Sequence, residues 1–131
     1  MPDRATKAAA NILIGILGLL GVFHVLVIVG VVPSDIVMGG QADTSLAQLL
    51  ALELTALGTT ILFMVITVAR AGYILKGLLP RFIRVAAWFM FAYFVLNIAG
   101  NFIGGPGLEM FVFGPLSIVI AMLALIVARG K

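Results

Sequence analysis

The sequence predicts an all-α protein, a membrane-embedded antiparallel four-helix bundle with both termini on the cytoplasmic side. Three observations predict this fold class. The chain is 63% hydrophobic and only 10% charged, whereas soluble domains average roughly 45–50% apolar and about 25% charged residues. Its apolar residues fall into four long runs that lack the polar outer face of a soluble helix. All eight Lys and Arg residues fall on one side of the membrane that these runs predict.

The four apolar runs each reach the length of a membrane helix, about 20 residues for about 30 Å of hydrocarbon. The predicted helices of this single transmembrane domain, residues 1–131, cover about residues 8–32, 46–71, 81–102 and 108–128. The second helix begins with a capping signature, Ser45 followed three residues later by Gln48. Pro115 falls inside the fourth helix, where we expect a kink or an irregular first turn.

The basic residues predict the orientation. They lie before the first helix, around the turn between the second and third helices, or at the end of the fourth: Arg4, Lys7, Arg70, Lys76, Arg81, Arg84, Arg129 and Lys131. The opposite side carries Asp35, Asp43 and Glu109 and no basic residue. The positive-inside rule makes the basic side cytoplasmic, which predicts a multi-pass protein of the bacterial inner membrane. So strong a charge bias argues against an antiparallel homodimer, whereas a parallel homo-oligomer or a partner membrane protein stays open.

Two ionisable residues, His24 and Glu53, lie at bilayer depth. With a rise of 1.5 Å per residue, His24 lies about 12 Å and Glu53 about 11 Å below the outer ends of their helices. Because a short connection makes the first two helices neighbours, these side chains can meet. An ionised group in hydrocarbon costs about 2.5–3.5 kcal/mol or more. A shared proton would stabilise both groups, which predicts a coupled, proton-responsive pair.

The third helix adds polar residues at the same level. Tyr93, Asn97 and Asn101 are spaced i, i+4 and i+8, which places them on one helix face. Together with His24 and Glu53, they predict a polar ligand-binding pocket in the outer half of the bundle.

Each of these residues also has a structural interpretation. Glu53 can extend to the outer interface from the second turn of its helix. His24 can be a buried histidine with a satisfied hydrogen bond. Asn97 and Asn101 can hold neighbouring helices together.

No cofactor, metal ion or nucleic-acid partner is predicted. The chain has no cysteine, and one His with one Glu falls short of the three protein ligands of a catalytic zinc site. The basic residues lie at membrane edges rather than on a soluble face, which excludes nucleic-acid binding. A membrane-embedded enzyme with Glu53 as general base is the weakest hypothesis, because an acid and an imidazole without a nucleophile or a metal cluster are too few groups for catalysis.

The stretch VPSDIVMGGQ after a histidine-bearing helix, Glu53 in the second helix and NIAGN in the third resemble a group of small uncharacterised bacterial four-helix integral membrane proteins. Their outer loop is of the PxDIVxGG type. The resemblance covers roughly Phe23 to Pro115 and implies the same topology, with no known activity.

Two functions follow from these patterns. The leading hypothesis is a small inner-membrane protein that binds or transports a small polar ligand, an ion or a lipid in a proton-responsive pocket. Asp35, Gly39 and Gly40 of the outer loop would then form a lid. The alternative is a structural or accessory membrane subunit without a ligand, which associates with a partner protein or with itself.

Overall fold

A computed structural model describes residues 2–33, 45–103 and 107–131 of the chain. Within these ranges the protein is all-α, with four long helices and no strand, which confirms the all-α class and the number of helices. The helices are α1 (Arg4–Ile28), α2 (Leu46–Arg70), α3 (Pro80–Ile103) and α4 (Gly114–Arg129), and a π-helical turn (Glu109–Phe113) leads into α4. All four are long and apolar enough to cross a membrane, the fourth when counted from Met110.

Local signals at both ends set the length of α1. The carboxylate of Asp3 caps its start by accepting a hydrogen bond from the backbone N–H of Thr6 at 2.7 Å. At the other end Gly30 takes a φ of +80°, and the N–H of Val31 donates to the carbonyl of Leu26. This is a Schellman motif, which glycine favours because it has no Cβ. The helix therefore ends before the apolar run does, at residue 28 rather than the expected residue 32.

The same devices set the bounds of α2. Ser45 is its N-cap and accepts a hydrogen bond from the backbone N–H of Gln48 at 3.2 Å, as the capping signature predicts. The helix ends where Gly72 takes a φ of +76° and the N–H of Tyr73 donates to the carbonyl of Val68. This is a second Schellman motif.

Pro115 lies in the first turn of α4, directly after the π-helical turn. Proline has no N–H and its ring collides with the carbonyl four residues earlier, so a regular helix cannot continue through it. The wider π-helical turn places the irregularity immediately before the proline. The irregular first turn that the sequence predicts is therefore present.

Each helix packs mainly against two neighbours, since α1 and α3 both contact α2 and α4. Two side-chain contacts fix how α1 lies along α2. Near the start of α1, Asn11 accepts a hydrogen bond at 2.8 Å from the hydroxyl of Tyr73, which follows α2. Near the end of α1, His24 meets Glu53 in the early part of α2. The start of α1 therefore lies beside the end of α2, and the end of α1 lies beside the start of α2.

These contacts divide the bundle into two halves. The polar half contains the His24–Glu53 contact, and the basic half contains the starts of α1 and α3 and the ends of α2 and α4. At the centre of the basic half, five small or apolar side chains from α1, α3 and α4 are fully buried: Ala10, Leu13, Met90, Ala124 and Val127. The basic half is therefore packed without a gap at its axis.

Arg70 ties the end of α2 to the end of α4. Its guanidinium donates to the carbonyl of Val127 at 3.0 and 3.1 Å and also to the carbonyl of Gly130. Arg84 on α3 adds a bond of 3.4 Å to the same Gly130 carbonyl. These bonds satisfy carbonyls at the C-terminus of α4 that have no partner within the helix.

Candidate functional site

A cavity of about 320 Å³ lies in the polar half, between all four helices. We call it the polar cavity. Its polar lining comes from the five predicted site residues together with three hydroxyl groups: His24, Glu53, Tyr93, Asn97, Asn101, Thr59, Thr60 and Ser117. The remaining walls are aliphatic and aromatic. Its volume lies at the lower end of the range of about 300–1,000 Å³ for small-molecule pockets.

The centre of the site is a direct contact between α1 and α2. Nδ1 of His24 lies 2.7 Å from Oε2 of Glu53, a hydrogen-bonding distance. Either the imidazole N–H donates to the carboxylate, or the protonated acid donates to the ring nitrogen. In both cases one proton is held between the two groups. Glu53 is only 4% exposed, and the His24 side chain is partly exposed, so the carboxylate is the more enclosed group of the two.

The position of Glu53 follows from a stripe of polar residues along α2. Glu53, Thr60 and Thr67 recur every seven residues and all three are buried. The two threonine hydroxyls donate to backbone carbonyls four residues earlier in their own helix, at 2.8 and 2.7 Å. A carboxylate has no such local donor, because the helix N–H groups around it are already bonded. Glu53 therefore takes its partner from α1, which places His24 opposite it.

The wall from α3 presents Tyr93, Asn97 and Asn101, the face predicted from their spacing. The side-chain amides of Asn97 and Asn101 make no hydrogen bond to another described residue. No described buried side-chain nitrogen or oxygen atom lacks a partner, so these amides are not enclosed by protein and reach the cavity. The Tyr93 ring packs edge-on against Phe63 with ring centres 5.0 Å apart. The three residues thus give the cavity hydrogen-bonding groups from a third helix.

Aromatic rings, which the sequence did not single out as site residues, hold the cavity open. Phe23 of α1 meets Phe113 of the π-helical turn with ring centres 5.2 Å apart. Phe63 of α2 meets Phe94 of α3 at the same distance. All four rings line the cavity. Phe23 is next to His24 in the chain, which was a usable signal, but the π-helical turn that positions Phe113 has no clear signature in the sequence.

The irregular start of α4 forms the remaining wall. Ser117 is buried and its hydroxyl donates to the carbonyl of Gly114 at 2.6 Å, one turn earlier in the chain. A Cβ on Gly114 would lie 2.7 Å from the ring of Phe102. Glycine is therefore needed there for α3 and α4 to approach.

Asp35, Gly39 and Gly40, the predicted lid, lie outside the described residues. Within residues 2–33, 45–103 and 107–131, no three His, Cys, Asp or Glu side chains gather closely enough to hold a metal ion.

The chain was compared with protein families, with curated proteins and with solved structures, and no match was found.

Proposed function

We propose that this protein is a multi-pass protein of the bacterial inner membrane that binds a small cationic ligand with an apolar part in its polar cavity. In this proposal the helices are antiparallel, both termini are cytoplasmic and the polar cavity lies in the outer half of the membrane. The observation that carries the proposal is the buried Glu53 carboxylate, held by His24 in a cavity that all four helices line.

The outward faces of the helices support membrane embedding. Large apolar side chains stand exposed on several helices, including Leu19 of α1, Phe89 and Leu96 of α3 and Met122 of α4. Extended apolar surface of this kind is rare on soluble monomers and is expected next to lipid. The basic residues gather at one end of the bundle, where Arg70 and Arg84 meet the C-terminus of α4. This clustering supports the cytoplasmic placement of that end.

The chemistry of the cavity favours a cation. Among the residues that the structure describes, its lining contains one carboxylate, no Lys or Arg, and five rings of Phe or Tyr: Phe23, Phe63, Tyr93, Phe94 and Phe113. A carboxylate and aromatic faces both attract a cation, and rings of this kind commonly surround ammonium groups. The amides of Asn97 and Asn101 would orient a polar substituent, and the apolar walls would accept a hydrocarbon part.

The His24–Glu53 contact makes binding proton-linked. A cation beside Glu53 and the proton shared by the pair compete for the same negative charge. Because coupling between two ligands is reciprocal, binding of the cation releases the proton, and a rise in pH strengthens binding. Leu13, Met90 and Val127 are fully buried in the basic half, and this close packing favours binding over conduction.

A matched pair of probes tests this function. Benzyltrimethylammonium carries a positive charge, and neopentylbenzene has the same shape without it. We expect the full chain in detergent micelles to bind the ammonium probe and to bind it more tightly at pH 8 than at pH 5, measured by isothermal titration calorimetry. Glu53→Gln should weaken this binding about thirtyfold or more, because losing one partner of a buried charge pair costs about 2 kcal/mol or more. Thr55→Ala, an exposed residue of α2 that does not line the cavity and is bonded to its own helix, is the control and should bind normally.

Equal binding of the two probes, or a Glu53→Gln variant that binds the ammonium probe as well as the native chain, would contradict the proposal.

The structural alternative uses the same contact as a bridge between α1 and α2. Apolar replacement of a buried ion pair is often neutral or stabilising. The double variant His24→Leu with Glu53→Leu should therefore be at least as stable as the native chain if the pair is only structural. It should lose binding of benzyltrimethylammonium at unchanged stability if the pair serves a ligand.

A further inference from the structure

A second cavity, of about 490 Å³, lies in the basic half between the N-terminal segment, the turn from α2 to α3 and the last residues of the chain. We call it the basic cavity. Within the described part of the chain, no acidic residue lines it and four basic residues do: Lys7, Arg70, Lys76 and Lys131. We propose that the basic cavity binds a phosphate group, supplied by the headgroup of an anionic phospholipid or by free phosphate.

Lys7 of α1 and Lys76 of the turn between α2 and α3 are the two lysines that we assign to the ligand. Arg70 already donates to the carbonyls of Val127 and Gly130. Neither lysine forms an ion pair within the described residues, where the one such pair is His24–Glu53. The ammonium of Lys7 lies 5.2 Å from the centre of the Tyr73 ring, and the Tyr73 hydroxyl is bonded to Asn11. Lys7 is thus held at the cavity wall while its charge stays available.

The conformation of the turn between α2 and α3 brings Lys76 to the same cavity. Leu75 and Leu79 take φ angles of 51° and 49°, a left-handed conformation that bulky residues rarely adopt. Leu75 and Leu78 line the cavity beside Lys76. Such conformations persist where the surroundings determine them, and they cluster at ligand sites. The turn therefore combines a cation with apolar side chains at one wall.

The apolar part of the turn favours a phospholipid as the source of the phosphate. Leu78 and Leu79 are more than half exposed, and Phe82 at the start of α3 is 69% exposed. An apolar turn with adjacent lysines suits the membrane interface, where the hydrocarbon meets the phosphate layer. A headgroup phosphate would lie between the lysines, and its glycerol and acyl parts would contact the leucines.

A charge-matched comparison tests the site. We expect the full chain in zwitterionic detergent to bind short-chain phosphatidylglycerol more tightly than phosphatidylcholine of equal chain length, measured by native mass spectrometry and thermal shift. The double variant Lys7→Gln with Lys76→Gln should bind phosphatidylglycerol about thirtyfold more weakly, since each lysine contributes roughly fivefold at an anionic lipid surface. The control, Arg4→Gln with Arg81→Gln, removes the same charge from exposed residues outside the cavity. This control should weaken binding of phosphatidylglycerol about tenfold less than the lysine variant does.

Two further arms define the ligand and protect against a folding artefact. Sodium phosphate that stabilises the native chain and displaces phosphatidylglycerol would identify the phosphate group alone as sufficient. If phosphate does not displace bound phosphatidylglycerol, the whole lipid is the ligand. Lys7→Arg with Lys76→Arg keeps the charge and should restore binding. Two results would overturn the proposal. One is an equal loss of binding in Lys7→Gln with Lys76→Gln and in Arg4→Gln with Arg81→Gln, because the attraction would then be diffuse. The other is equal binding of phosphatidylglycerol and phosphatidylcholine.

Discussion

The two halves of the bundle use the same four helices but are built differently at the axis. In the basic half, Ala10 and Ala124 are fully buried and let the helices close around Leu13. In the polar half, the ring pair of Phe23 and Phe113 meets at 5.2 Å and lines a cavity of about 320 Å³ instead. The comparison teaches that the side chains facing the axis decide where such a bundle closes. Small and aliphatic residues fill the basic half, whereas polar groups, aromatic rings and the π-helical turn line the cavity of the polar half.

Leucine substitutions should give the largest difference between the halves. Leu13 is completely buried in the basic half, and Leu20 on the same helix lines the polar cavity and is partly exposed. Leu13→Ala should lower the free energy of unfolding by about 2 kcal/mol or more, because it leaves a hole in a closed core. Leu20→Ala should cost less than about 1 kcal/mol, because it enlarges a space that already exists. Unfolding in mixed micelles by added SDS measures both, and equal costs would break the comparison.

Arg70 should give the next largest effect, because it closes the basic half at the ends of α2 and α4. Arg70→Ala should cost about 1.5–3 kcal/mol, the usual contribution of hydrogen bonds from a charged group. Arg129→Ala provides the control, since Arg129 is exposed and makes no side-chain hydrogen bond to a described residue. Similar unfolding curves for the two variants would show that the hydrogen bonds from Arg70 to the end of α4 do not stabilise the bundle.

Asp3 should give the smallest effect, and one that depends on pH. Its bonds to the N–H and side chain of Thr6 hold the pKa of the Asp3 carboxyl below its ordinary value of 3.8. A lowered pKa means that the cap stabilises the folded chain above that ordinary value and loses this contribution as pH falls through the lowered one. Asp3→Ala should therefore reduce thermal stability at pH 7, and the native and variant curves should converge below pH 3.8. A difference that stays constant at acid pH would show that the charge is not what caps α1.

Much of the fold is readable from local signals in the sequence, and the site is readable in part. The Ser45 cap is confirmed and His24 contacts Glu53, because both features depend on regular helix geometry. The early end of α1 is set by Gly30, whose signal is masked by the valines that continue the apolar run.

The aromatic lining of the cavity is the part that sequence reasoning missed. Phe94 lies in a run of aromatic residues that reads equally well as lipid contact, and its neighbour Phe89 is indeed exposed. Which rings face inward depends on the rotation of each helix about its axis. That rotation is set by packing against the other three helices, not by the local pattern.

The most direct test of the central claim uses the fact that His24 is the only histidine of the chain. Selective ¹⁵N labelling of histidine gives one side chain to follow by NMR between pH 5 and 8, the range in which histidine charge usually changes. We expect the titration curve of His24 to change when Glu53 is replaced by Gln, and to change in the native chain when benzyltrimethylammonium is added. Superimposable curves in all three samples would contradict a proton shared by His24 and Glu53 and linked to a ligand.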